Sequence, residues 1–220
     1  MEIAGEQAGQ QHDDHFVGTP PWQGTWPTGD HYSPELLEKG DHRNVADEFR
    51  YWREDAIRRE LDKRLTGQPH LWIAIENWHH DFNIGSVVRT ANAFNVAGVF
   101  IVGNKRWNRR GAMVTDRYLH IQHCDDARQL LAEVMQLGTT PLFPIIGVDN
   151  IPGSVPLESY RLPRNCLLVF GQESTGLTPE MQAVCEAIVH ITQYGSTRSI
   201  NAGAAAAIAM FAWSQQHRLS

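Results

Sequence analysis

A chain of 220 residues with 42% hydrophobic content and 18 glycines suits one domain of moderate size plus an appendage. No apolar run is long enough to span a bilayer, and the start MEIAGEQAGQ has neither a basic region nor an apolar core, so the chain reads as soluble, cytoplasmic and not exported. The formal net charge of −6 is unevenly placed: residues 1–41 hold eight acids against the single base Lys39, which is −7, and the rest of the chain is +1. A near-neutral body can still meet a polyanion through one local patch.

The first 43 residues are rich in Gly, Pro, His and acids, with Trp22 and Trp26 as isolated aromatics. They read as a flexible acidic tail. Over 44–68, Val45, Phe49, Trp52, Ala56, Leu61 and Leu65 recur at helical spacing beside Arg50, Arg53, Arg58, Arg59, Lys63 and Arg64. One amphipathic helix is expected from Asn44 to Leu65, stopped by Gly67 and Pro69. Interleaved acids make its polar face either an RNA contact or a solvated surface.

Residues 69–220 form the third and main segment. Leu71 to Asn77 is a buried-strand candidate, followed by a turn and a helix in which Asn83 stands at the N-cap position and Arg89 in the second turn. Arg89 beside Val87 and Val88 suits either chemistry or a packed, ion-paired stem. His79 and His80 lack a third ligand at suitable spacing, so no metal is expected. After a strand at Val99 to Val102 comes GNKRWNRRGAM, where Lys105, Arg106, Arg109 and Arg110 surround Trp107. Cations interleaved with an aromatic neutralise phosphates and stack on a splayed base, the strongest nucleic-acid signal in the chain.

Asp125 to Gln136 reads as a further helix. Pro141 to Val148 reads as a strand whose prolines place it near a sheet edge. The strand Cys166 to Gly171 ends in GQESTGL, where Gly171 and Gly176 let backbone groups wrap a ligand, and Thr178-Pro179-Glu180 reads as N-cap, first turn and dipole-matching acid. An apolar run from Ile188 then feeds a polar turn and an Ala-rich helix starting near Ser199, whose small residues permit close packing. Cys124, Cys166 and Cys185 are odd in number and show no CxxC spacing, which argues against disulfides or a zinc cluster. Alternating strands and helices predict an α/β fold, a mainly parallel sheet with helices on both faces.

Three blocks in order, NIGSVVRTANAF around Asn83 to Arg89, LLVFGQESTGL and ITQYGSTRSINAGAAAA, resemble the SPOUT superfamily of RNA methyltransferases in its TrmH-like, ribose 2'-O-methylating branch. The resemblance covers roughly residues 69 to 217. It implies a six-stranded parallel sheet with a C-terminal deep trefoil knot, S-adenosylmethionine as cofactor, and a homodimer packed through the knot region. Carried onto this chain, the cofactor contacts are Phe170, Gly171, Gly176, Ile191 and Ile200, and the catalytic set is Asn83, Arg89, Glu173, Ser199 and Asn201. Thr192 stands where the family usually has proline, a departure expected to loosen the turn; Ala202 replaces a common valine, a change of volume alone.

The resemblance implies direct displacement at a sulfonium methyl by a ribose hydroxyl, with Arg89 either accepting the proton or clamping a phosphate. The substrate implied is tRNA, with a D-loop guanosine suggested by QYGSTRSIN, and ribosomal RNA as the alternative. A non-catalytic RNA-binding module on the same scaffold would need the basic loop but not Asn83, Arg89 or Asn201. A dinucleotide enzyme would need GxGxxG after the first strand, where only Gly85 stands.

Overall fold

The computed structural model describes residues 18–77, 83–137 and 143–218. The chain divides into two compact units, residues 1–53 and 54–220.

In the first unit, residues 18–43 do not form the flexible tail expected from their composition. Helix α1, Pro34–Lys39, is capped by Ser33, buries Leu37 and ends at Gly40. The fold is organised by Asp41, which is fully buried. Its carboxylate accepts from Arg43 Nε at 2.8 Å, Arg43 Nη2 at 2.7 Å and the Tyr51 amide at 2.8 Å. Burial alone raises its pKa, but these hydrogen bonds outweigh burial and hold the carboxyl below its ordinary value. Trp22 packs edge-on to Tyr51, with ring centroids 5.4 Å apart.

The expected helix over 44–65 is interrupted. A 3-10 turn, Asp47–Phe49, comes first, and Tyr51 adopts a left-handed φ of 64°. A non-glycine residue at that φ ends a helix, because the next backbone amides no longer point along its axis. The amide of Tyr51 goes to Asp41 and that of Arg53 to the His31 carbonyl. The helix proper, α2, runs Glu54–Leu65 and belongs to the second unit.

The second unit is a seven-stranded, fully parallel sheet, one strand more than the resemblance implies. Its strands are β1 (Leu71–Asn77), β2 (Gly98–Gly103), β3 (Ile121–Cys124), β4 (Ile145–Val148), β5 (Val155–Pro156), β6 (Cys166–Phe170) and β7 (Ala187–His190), in the spatial order β3-β2-β1-β6-β4-β7-β5. Alternate residues face opposite layers. Leu71, Ile73 and Ile75 of β1, with Cys166, Leu168 and Phe170 of β6, pack against α3 (Asn83–Ala93) and α6 (Ala202–His217). Ala74, Leu167 and Val169 face α4 (Ala127–Gln136) and α5 (Pro179–Val184). Coverage on both faces explains why these strands read as unbroken apolar runs.

β4 is interior rather than at an edge, hydrogen-bonded to β6 and β7. Its proline precedes the ladder: Pro144 contributes only a carbonyl, which accepts from the Leu167 amide at 3.0 Å, so the missing N–H costs nothing. The C-terminal helix begins at Ala202, not near Ser199, with Asn201 as its N-cap. No described helix is long and apolar enough to cross a membrane.

Candidate active site

β6 lies between β1 and β4, and the carboxyl ends of β6, β4 and β7 open onto one cavity of about 350 Å³. A crevice at strand carboxyl ends is where open α/β sheets bind ligands. The loop after β6 forms much of its wall and is held tightly. Gln172 and Gly176 exchange amide-to-carbonyl hydrogen bonds of 3.1 and 2.8 Å. Gly176 is left-handed, with φ 66°, and the backbone of Gly176 and Leu177 lies where a Cβ on Gly171 would go.

Two carboxylates then clamp consecutive amides from either side of β6. Asp149, just past β4, accepts from Leu177 N at 2.8 Å. Glu76, buried near the end of β1, accepts from Thr178 N at 2.8 Å and from Thr178 Oγ1 at 2.6 Å. Thr178 in turn caps α5 through Met181 N. The amides of Gln172, Gly176, Leu177 and Thr178 are therefore used within the fold, which narrows the expected wrapping of a ligand by loop backbone to the remaining residues. Burial first, and the Glu76 charge second, push the neighbouring Cys185 thiol up to about 12. Neither acid was singled out from the sequence; the signal available was a lone acid closing an apolar strand.

Three of the five expected catalytic residues meet. Asn201 Nδ2 donates to Asn83 Oδ1 at 2.9 Å and to Glu173 Oε1 at 3.2 Å, and Asn83 Nδ2 donates to Glu173 Oε2. The orientation of Asn201 follows from its cap: Oδ1 accepts from Gly203 N at 3.0 Å and Ala204 N at 3.2 Å, so Nδ2 must face the other two. Asn83 opens α3 and Asn201 caps α6, so two positive helix ends converge on the Glu173 carboxylate. These helices approach closely at Gly203, where a Cβ would lie 3.4 Å from Ser86 Cβ.

The five expected cofactor residues, Phe170, Gly171, Gly176, Ile191 and Ile200, all line the cavity, as do Glu173 and Ser199. Asn83, Arg89 and Asn201 are not part of its lining. Arg89 is exposed on α3, and no hydrogen bond or ion pair joins it to another described residue. His79 and His80 lie outside the described residues. Thr192 does not loosen its turn: its amide donates to Glu158 Oε1 at 3.0 Å and its hydroxyl to Oε2 at 3.1 Å, the first of which a proline could not make.

The basic loop after β2 is rooted by buried Asn77, whose Nδ2 donates to the carbonyls of Asn104 at 2.6 Å and Arg106 at 2.9 Å. It packs on α3 where Gly85 meets Gly111; a Cβ on Gly85 would stand 2.8 Å from Gly111 Cα. Lys105, Arg106, Arg109 and Arg110 are exposed. Trp107, expected to stack on a base, is half-buried against the core with the Arg109 guanidinium 5.5 Å from its ring centre. A large ring gains more by covering apolar surface than by standing in water, which makes Trp107 the anchor of the loop and leaves the cations outermost, Arg109 paired with Asp116 at 3.5 Å.

The model of the SpoU rRNA Methylase family matches residues 70–211. A 23S rRNA (guanosine-2'-O-)-methyltransferase, RlmB, of Acinetobacter baylyi is 25% identical over 161 residues, 70% of this chain and 63% of that protein. A tRNA (guanosine(18)-2'-O)-methyltransferase of Borreliella burgdorferi is 23% identical over 145 residues, 64% of this chain and 65% of that protein. The chain spans between 49% and 65% of the length of the curated relatives it matches. Among solved structures, the SpoU methyltransferase AviRb from Streptomyces viridochromogenes, in complex with AdoMet, superposes with a TM-score of 0.61 at 23% identity, covering 70% of this chain and 59% of that one.

Proposed function

Because the chain belongs to the SpoU methylase family, we propose that it is an S-adenosylmethionine-dependent RNA methyltransferase that modifies a ribose 2'-hydroxyl. The observation that carries this reading is the Asn83–Asn201–Glu173 network set beside the strand-end cavity. The cavity fits the cofactor: Phe170, Ile191 and Ile200 offer apolar lining for a flat heterocycle, and Glu173, Arg198 and Ser199 offer polar lining for a zwitterionic end. The substrate in this reading is tRNA, supported by the Borreliella relative's name and the QYGSTRSIN segment; the name of the Acinetobacter relative supports ribosomal RNA as the second reading.

When bound, the cofactor supplies a methyl group on a positively charged sulfur, an electrophile that needs little further activation. The chain's task is to hold the attacking oxygen in line and to stabilise charge as the hydroxyl loses its proton. Arg89 does the second. A guanidinium stays protonated near neutral pH, so Arg89 clamps the adjacent phosphate and the developing alkoxide instead of acting as base, and the hydroxyl proton passes to solvent water. Asn83 and Asn201 keep the Glu173 carboxylate fixed at the cavity wall. The cations of the basic loop, mounted on the same helix α3, hold the RNA backbone.

The reading extends to assembly and chain path. Ala204, Ile208 and Phe211 form an exposed apolar stripe along α6, with Ile208 42% and Phe211 47% exposed. A second copy packed there brings its own Arg89 to the cavity, and the segment after β7 follows the family's deep trefoil knot. Incubation with methyl-labelled S-adenosylmethionine and bulk tRNA or rRNA, followed by mapping of ribose methylation, tests the activity. Product at one tRNA nucleotide is expected; product in rRNA alone selects the second reading; no ribose product on either overturns both. Arg89→Ala should lower turnover at least about a hundredfold while cofactor affinity changes less than about threefold.

A further inference from the structure

The connection from β4 to β6 meets the end of β7 and the loop that follows it at three side-chain links. Ser154 Oγ donates to the Ile151 carbonyl at 2.7 Å and so receives the His190 Nδ1 proton at 2.9 Å. The Glu158 carboxylate accepts from both the amide and the hydroxyl of Thr192, as above. Asn150 Nδ2 donates to the Arg198 carbonyl at 3.3 Å. Between these links lie the two residue pairs of β5 and β7, Val155 opposite Val189 and Pro156 opposite His190. His190, Ile191, Gln193 and Arg198 all line the cavity, as does Asn150, whereas Ser154 and Glu158 do not.

We propose that Ser154, Glu158 and Asn150 are positioning residues: a side-chain clasp that sets the 190–198 segment at the height and tilt the cofactor requires. The inference rests on the reading of the cavity as a cofactor site. The segment contains no helix or strand beyond His190, so its shape has no ladder of its own to define it. A loop that must present backbone and side chains to a ligand gains affinity when it is ordered beforehand. Ser154 and Glu158 supply that order from outside the cavity, at residues 190 and 192, and Asn150 supplies it from the cavity wall, at residue 198. Glu158 is the central pin, because one carboxylate takes both donors of Thr192. Its own amide first, and then those two donors, hold the Glu158 carboxyl below its ordinary value, which agrees with a carboxylate held as an acceptor.

The test uses the full chain and two readouts, S-adenosylmethionine affinity by calorimetry and backbone hydrogen exchange. Glu158→Ala should weaken cofactor binding about three- to tenfold, and Ser154→Ala/Glu158→Ala further. Thr192→Ser keeps both donors and should match wild type, while Thr192→Val should fall between wild type and Glu158→Ala. Exchange at residues 191–200 should accelerate in step, with Leu71–Asn77 and Cys166–Phe170 unchanged, and turnover at saturating cofactor should stay within about twofold. Unchanged exchange at 191–200, or protection lost evenly across the sheet, overturns the clasp. Failure of the wild-type chain to bind S-adenosylmethionine would strike the cofactor reading instead, leaving the exchange comparison to judge the clasp's hold on the loop.

Discussion

Asn201 does two jobs with the two ends of one amide, and they can be separated. Its oxygen caps α6 and its nitrogen feeds Asn83 and Glu173. Asn201→Asp keeps a capping oxygen at a helix N-terminus but replaces the donor with a second acid facing Glu173. Thermal stability should therefore change little, with turnover falling at least tenfold, as read by melting and by methyl transfer on the same sample. Asp41 gives the matching prediction for the first unit. Its folded pKa is depressed, so its contribution is complete above the ordinary value near 3.8 and is lost as pH falls through the lower folded value. Following the Tyr51 amide by NMR should place that loss below pH 3.8, not above it. Asp41→Asn should destabilise the unit by about 3 kcal/mol at neutral pH, because it leaves the Arg43 guanidinium, 14% exposed, without its carboxylate.

Elements are legible in sequence in proportion to how uniformly their surroundings constrain them. β1 and β6 are enclosed on both faces, so an apolar run announced them; α5 announced itself through its Thr-Pro-Glu start. β3, the polar run IQHC, and β5, two residues long, carry no such pattern and took their places only from pairing with β2 and β7. The break before α2 was hidden because Val45, Phe49 and Trp52 keep helical spacing while Tyr51 turns left-handed to reach Asp41. The basic loop was legible as a cluster of cations, but Trp107's packing role was not, since an aromatic among arginines looks the same in sequence whether it stacks or anchors. Its two parts predict different outcomes. Lys105→Ala/Arg110→Ala should weaken tRNA binding across sequences and reduce the slope of log affinity against log salt by about 0.7 to 0.9 per lost phosphate contact. Trp107→Ala should lower stability by about 3 kcal/mol or less, as a partly buried aromatic does, with the salt slope kept. Filter binding across a salt series, with melting alongside, distinguishes them.

At the scale of the whole second unit, the hydrogen-bonded trio beside the cavity comes from positions 83, 173 and 201, and no periodic pattern links residues so far apart. The family resemblance named them; what brings them together is the order β1-β6-β4, which sets the loop after β6 between two strand ends that each supply a carboxylate, Glu76 and Asp149, to hold it. That architecture accounts for the cavity wall but leaves Arg89 exposed and outside the cavity's lining, and it leaves Ile208 and Phe211 facing outward on the helix that Asn201 begins. Both loose ends would be met by the arrangement proposed above, a second copy on α6. Contact through a stripe of small and apolar residues would bury surface that a lone chain exposes, and would tie catalysis to assembly. Phe211→Glu should then shift the species seen by sedimentation from a dimer to the 24.8 kDa chain and lower turnover with it, while the melting temperature measured at high dilution stays near that of wild type. Mixing Arg89→Ala with a chain impaired only at the cavity should restore part of the activity, since one of the two sites in a mixed pair would then hold an intact cavity and an intact arginine. A wild-type chain that sediments as a monomer while fully active would place Arg89's work within its own chain and remove the second copy from the mechanism.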